Sequence, residues 1–101
     1  MKNFTVQNAK DAILKLEKVK GSKRAALIER MARLETAHFT SGQYKRTGSA
    51  GMDKGKWPGI SSKVSYYRAR DNQDNRLVDF IIWDNVYDFM IYLSDYIHRL
   101  S

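Results

Sequence analysis

Glu35 closes the segment Leu27-Ile-Glu-Arg-Met-Ala-Arg-Leu-Glu35, whose apolar residues recur at helical spacing. Drawn at 3.6 residues per turn, Ile28, Met31, Ala32 and Glu35 share one ~100° arc. Lys23, Glu29, Arg30 and Arg33 take the opposite side. The pattern predicts a carboxyl on the apolar stripe, in the last turn of its helix. Burial disfavours the ionised form of a carboxyl, and the negative end of the helix dipole acts in the same direction. A carboxyl held partly protonated near neutral pH can serve as a general acid. The polar, glycine-bearing stretch from Thr36 to Gly59 follows at once and offers a place for a substrate.

Other groups could share that chemistry. Asp53 follows a glycine segment, Asp71 and Asp74 lie in an expected turn, and Asp79 lies in an expected strand. None stands out by spacing. Tyr66 and Tyr67 are adjacent on an expected strand, where successive side chains alternate faces, so at most one of them faces a cleft. Tyr44, Trp57 and Trp83 offer flat faces of the kind that cover large areas while keeping a polar edge. Trp83, beside a helix start, reads more readily as hinge packing. His38 reads as a loop residue rather than a base. With His98 it makes only two histidines, without cysteine and without paired spacing, so no metal site is expected. Gly48-Ser-Ala-Gly51 lacks the Gly-Lys-Ser/Thr ending and the preceding strand of a phosphate loop.

The elements that would position these groups can be read from periodicity. Residues 8–20 form an expected first helix, capped by Asn8 and stopped by Gly21. Ser22 would cap a second helix over residues 23–37. A long loop follows, holding Gly42, Gly48, Gly51, Gly55, Pro58 and Gly59. Loops this long inside compact domains are uncommon and often functional. Val64 to Ala69 reads as a strand, and Leu77 to Trp83 reads as its partner or as the start of a longer helix. β-branched and aromatic content favours the strand. Asp84 or Asn85 caps a last helix whose stripe is Val86, Phe89, Met90, Leu93, Ile97 and Leu100. The fold class is therefore mostly α (α+β), with three main helices around one core. The long loop and a small β-hairpin would line a cleft.

At 101 residues the chain reads as a single domain, residues 1–101, able to bury a modest core. Eighteen Lys+Arg against eleven Asp+Glu give a net charge of +7. That balance favours polyanions such as nucleic acid, acidic envelope polymers or an anionic membrane surface, without choosing among them. No apolar run is long enough for a membrane span. The N-terminal residues do not resemble a secretory signal. The expectation is a chain made in the cytoplasm that reaches an external target only if released or delivered. No cofactor is implied.

The run Met31-Ala-Arg-Leu-Glu-Thr-Ala-His-Phe-Thr-Ser41 resembles the catalytic-helix motif of bacterial peptidoglycan hydrolases with a lysozyme-like fold. More narrowly, it is similar to the endo-β-N-acetylglucosaminidase group of autolysins, flagellar wall-clearing enzymes and phage-encoded proteins. In that group the helix ends in Leu-Glu-Thr or Leu-Glu-Ser, and an aromatic residue and Ser follow. Gly48-Ser-Ala-Gly-Met52 occupies the place of the group's Asn-Leu-Phe-Gly-like segment. Trp83-Asp-Asn-Val-Tyr-Asp-Phe-Met90 is similar to the start of its last helix. The resemblance spans about residues 27–97.

What the resemblance implies is glycan cleavage with Glu35 as general acid, protonating the glycosidic oxygen as an oxocarbenium-like centre forms. Such enzymes usually pair two carboxyls, although a substrate acetamido group replaces the nucleophile in some families. Asp53, Asp79, Tyr66 and Tyr67 are the candidates for the second group. His38, Tyr44, Ser49, Gly51, Met52 and Trp57 are the residues expected along the substrate. The expected partner is the glycan strand of peptidoglycan.

Two other readings stand beside this one. A small basic nucleic-acid-binding domain would use the +7 charge and the aromatic-cation pairs Tyr44-Lys45-Arg46, Lys56-Trp57 and Tyr67-Arg68. No recognition-helix signature accompanies them. A catalytically inactive lysozyme-like structural protein of a phage would keep the fold without the chemistry. Glu35 itself could instead be an ordinary helix-end residue paired with Arg33 or Arg68.

Overall fold

Thr5 starts the first helix, α1 (Val6–Lys20). Its hydroxyl accepts a hydrogen bond from the Asn8 amide at 3.1 Å, and Asn8 Oδ1 accepts one from the Thr5 amide at 2.9 Å. This reciprocal pair satisfies two otherwise unpaired helix N-terminal donors. Asn8 is thus the returning partner of the cap rather than the cap itself. A computed structural model describes residues 2–49, 64–71 and 75–100 of the chain.

Gly21 ends α1 and begins α2 (Ser22–Glu35) with one residue. Its φ of +90° is open to glycine at little cost. Its amide donates to Glu17 O at 2.9 Å and its carbonyl accepts from Ala25 at 3.1 Å. Ser22 lies inside the helix and does not cap it. A one-residue joint forces a sharp corner, and α1 packs against both α2 and the last helix. Ala9, Ala12, Ile13 and Leu16 of α1 and Ala25, Ile28 and Ala32 of α2 belong to one buried cluster.

The stretch read as a long loop contains a further helix, α3 (Gly42–Thr47). Ser41 Oγ accepts from the Tyr44 amide at 3.2 Å. Gly48, at φ +74°, closes the helix with its amide on Tyr44 O at 2.7 Å. A Cβ at Gly48 would stand 3.1 Å from Phe4 Cε2, so both backbone and space select glycine here. A cap serine and a left-handed glycine bracketing six residues were the available signal. Six residues are too few for a visible apolar period.

Two strands, β1 (Ser65–Arg70) and β2 (Leu77–Ile82), form an antiparallel hairpin. The Leu77 segment is therefore strand, not helix. Its register sets Tyr67 opposite Phe80 and Arg68 opposite Asp79. The two rings stack at 5.3 Å and the two charges pair at 3.2 Å. Directly opposed pairs of this kind are the unit of sheet stabilisation. Asn85 caps α4 (Val86–Leu100) by accepting from the Asp88 amide at 2.9 Å. Val86, Phe89, Met90 and Leu93 are buried as the stripe requires, and Ile97 packs against them. The described residues are mostly helical, with four helices and one small two-stranded antiparallel sheet. The Cα radius of gyration of 13.0 Å is that of a compact chain of this length.

Candidate functional site

Glu35 is the last residue of α2, and its side chain is exposed. This corrects the expectation of a carboxyl on the buried stripe. The core-facing direction of α2 is set by Ala25, Ile28, Ala32 and the next residue in that row, Thr36. At 100° per residue, Glu35 lies roughly 65° away from the middle of that row. Thr36 is only 1% exposed, so the buried position at this helix end belongs to it.

The ion pairs suggested for Glu35 do not form either. Arg33 gives both its Nε (3.0 Å) and a terminal nitrogen (2.8 Å) to Glu29 Oε2. Arg68 pairs with Asp79. Among the described residues, no hydrogen bond or ion pair engages the Glu35 carboxylate. It is a solvent-facing group at a fixed place.

What fixes the place is an unusual turn. Ala37, His38 and Phe39 follow in sequence with φ of +50°, +58° and +67°. Left-handed backbone costs a non-glycine residue about 1–2 kcal/mol, so three in a row need strong support. The Thr36 hydroxyl donates to Ala32 O at 2.6 Å and accepts from the Phe39 amide at 2.8 Å. The His38 amide returns to Arg33 O at 2.9 Å, and the Thr40 and Ser41 amides both return to Thr36 O. Phe39 is buried with its ring edge on Tyr44 at 5.2 Å, and the Arg33 guanidinium lies 5.7 Å from the Phe39 ring centre. Ala37 occupies the position after the helix cap where glycine is usual. Ala37→Gly is expected to raise stability by about 0.5–1 kcal/mol, read as a higher midpoint in urea unfolding.

The other candidates fall into separate places. Tyr44 is 1% exposed, so it is a core residue rather than a platform for a ligand. Its hydroxyl donates to Thr5 O at 2.6 Å. Burial pushes its pKa from 10.0 up to about 12, against a smaller opposing contribution from the Ala9 backbone. A raised acid pKa in the folded state means that the folded form holds its proton more tightly. The stability so contributed is complete below about pH 10 and is lost as pH rises towards 12. Wild type should therefore lose about 1.4 kcal/mol per pH unit across that window. Tyr44→Phe should lack that phase in unfolding curves taken from pH 9 to 12.

Ser49 is buried, and its amide donates to the Thr47 hydroxyl at 3.2 Å. His38 is exposed on the left-handed turn beside Glu35. Asp79 is engaged with Arg68. Gly51, Met52, Asp53 and Trp57 lie outside the described residues. Tyr66 and Tyr67 take opposite faces of the hairpin. Tyr66 shares its face with the buried Ile81, and Tyr67 shares its face with Ser65, Phe80 and Ile82. Trp83 is buried between β2 and α4, 5.8 Å from Phe89 and 5.4 Å from Tyr92. It is the hinge-packing residue expected of its position.

A groove missed in the sequence runs between the N-terminal segment, α3 and the hairpin. It holds about 400 Å³ and is lined by Lys2, Arg46, Thr47, Ser65, Tyr67 and Ile82. The Trp83 amide donates to Thr47 O at 2.8 Å, and the Phe4 amide donates to Lys45 O at 2.9 Å. These two bonds fix α3 to the hairpin and to the N-terminal segment. The Glu35 turn is tied to the same helix through Phe39 on Tyr44. Among the described residues no group of three His, Cys, Asp or Glu could hold a metal ion, and no helix is long and apolar enough to cross a membrane. No protein-family model matches the chain, and no curated protein or solved structure matches it.

Proposed function

We propose that the chain is a lysozyme-like domain that cleaves the glycan strands of bacterial peptidoglycan, with Glu35 as the general acid. One observation carries the reading. A carboxylate without a partner among the described residues is held at a helix end by a strained, clasped turn, in the sequence context Leu-Glu-Thr. Strain of this kind persists only where its surroundings over-determine it, and it concentrates at functional sites. An ordinary helix-end glutamate has no need of such a device.

The exposure of Glu35 changes the mechanism expected from the sequence. The substrate itself has to do the desolvating. A sugar ring seated over the carboxyl would strip water from it and favour the protonated form. The proton then passes to the glycosidic oxygen as that C–O bond breaks, the leaving sugar departs as an alcohol, and water adds to the oxocarbenium-like carbon left behind, its proton restoring the Glu35 carboxyl. His38, exposed on the turn that follows Glu35, would meet such a sugar. Tyr66, exposed on the hairpin, is the accessible member of the tyrosine pair. The +7 charge raises the local concentration of an acidic polymer.

The test is release of soluble fragments from purified peptidoglycan by the wild-type protein. Fragments with new reducing ends support the reading. A folded protein that releases none removes it. In that case the basic binding domain is tested next, by titration with single-stranded nucleic acid across a salt series.

A further inference from the structure

We propose that the outer stripe of α2 is a docking seam for an acidic amphipathic helix of a partner protein. Leu34 is 77% exposed and Leu27 is 37% exposed, and Met31 between them is half-buried. At 100° per residue the three side chains fall within an arc of roughly 60°. Their spacing, four residues and then three, is that of a helix–helix seam. Apolar residues exposed singly need no explanation. Leu14 and Val19 of α1 are of that kind, since they stand roughly 140° apart around their helix. The α2 residues instead line up over two turns. This seam stands apart from the chemistry assigned to Glu35.

Lys23 and Arg30 run along one flank of the stripe, in step with Leu27 and Leu34. Both are exposed, and neither has a hydrogen-bond or ion-pair partner among the described residues. The other flank carries Arg24 near the start of the helix and Glu35 at its end. Glu29, the remaining acid of α2, lies roughly 160° from Leu27 and is held by Arg33. Cations therefore dominate the rim. Charges that flank a helix seam set partner choice, and unpaired cations there favour a partner that brings carboxylates.

Width and charge separate the candidate occupants. A helix that lies on a membrane presents a broad apolar face, with Trp, Phe or Leu across it. A single file of apolar residues is the narrower pattern that one partner helix fills, and α2 contains no aromatic residue. A second copy of the chain brings the same cations and a net charge of +7 to the contact. Single-stranded nucleic acid uses cations and aromatic platforms, and would leave the two leucines in water. A helix with Leu on one face and Glu beside it covers the apolar row and pairs with Lys23 and Arg30.

The experiment is titration of the full chain with a helical peptide of three heptads, followed by backbone amide NMR shifts. The peptide has Leu at its a and d positions and Glu at e and g, so that its own charges oppose self-pairing. A control peptide has Lys in place of each Glu. Saturable shifts along residues 23–35 are expected with the Glu peptide and not with the Lys peptide. Leu34→Ser should weaken binding by about tenfold or more, with the fold retained in the same spectra. Lys23→Glu combined with Arg30→Glu should exchange the preference, so that the Lys peptide binds and the Glu peptide does not. No shifts on α2, equal binding of the two peptides, or binding that ignores Leu34→Ser would overturn the proposal. So would binding to phosphatidylglycerol vesicles, or a dimer in sedimentation, that Leu34→Ser abolishes while neither peptide binds. Those two results would give the stripe to a lipid surface or to a second copy.

Discussion

Glu35→Gln is expected to reduce fragment release from peptidoglycan by about 10²–10⁴-fold, the usual contribution of a positioned general acid. The amide keeps the shape and loses the proton. The loss should fall on kcat with little change in KM, because the proton transfer is made only in the transition state. Stability should not fall with it. Glu35 is exposed at the negative end of α2 and has no partner among the described residues. Removing its charge relieves a repulsion with the helix dipole of a few tenths of a kcal/mol. Urea unfolding of the variant should therefore match wild type or exceed it slightly. A variant that loses activity and fold together would say that Glu35 is structural.

Trp83→Ala is expected to cost about 3–5 kcal/mol, the range for deleting a buried Trp or Phe side chain. Trp83 is 1% exposed. Its ring meets Phe89 and Tyr92 of α4. Its amide holds Thr47 of α3, and its carbonyl accepts from Lys2. The side chain therefore fills the space where the hairpin, α3 and α4 converge. Domains of this size have total stabilities of roughly 5–15 kcal/mol, so the variant should be close to unfolding. At about 4–8 °C per kcal/mol, its melting temperature should drop by more than about 12 °C. Trp83→Phe should recover much of the loss. Thermal unfolding by circular dichroism reads both, and an unchanged Trp83→Ala would contradict this description of the core.

The helices and the hairpin were legible because their apolar spacing agrees with the packing they adopt. The α4 stripe is the clearest case, since Val86, Phe89, Met90 and Leu93 are buried at the spacing written in the sequence. Glu35 is exposed, against the periodicity, for a specific reason. The arc drawn through α2 gave Met31 the same weight as Ala32. The buried row of α2 is instead Ala25, Ile28 and Ala32, continued by Thr36 just past the helix end. Periodicity locates an apolar stripe, and the tertiary packing decides which edge of it is buried. Ile28 remains in the core, whereas Met31 is half-buried and Leu34 is exposed.

The left-handed turn after Glu35 was not legible at all. Ala, His and Phe carry no preference for that backbone, and only the tertiary anchoring of Thr36 and Phe39 holds it. The sequence alone presents Tyr44 as a ligand-facing aromatic, because α3 is too short to show a period. Its burial follows once Ser41 and Gly48 are recognised as caps. The groove of Lys2 and Arg46 brings together residues 2, 46, 65 and 82, a conjunction that no local window contains.

The central claim is that Glu35 transfers a proton to a glycosidic oxygen of peptidoglycan. The most direct measurement is mass-spectrometric identification of the reducing sugars on fragments released by wild type and by Glu35→Gln, at matched folded concentration. New N-acetylglucosamine reducing ends from wild type, and none from Glu35→Gln, are the predicted result. Release of the same ends by both proteins, or by neither while wild type is folded, would contradict it.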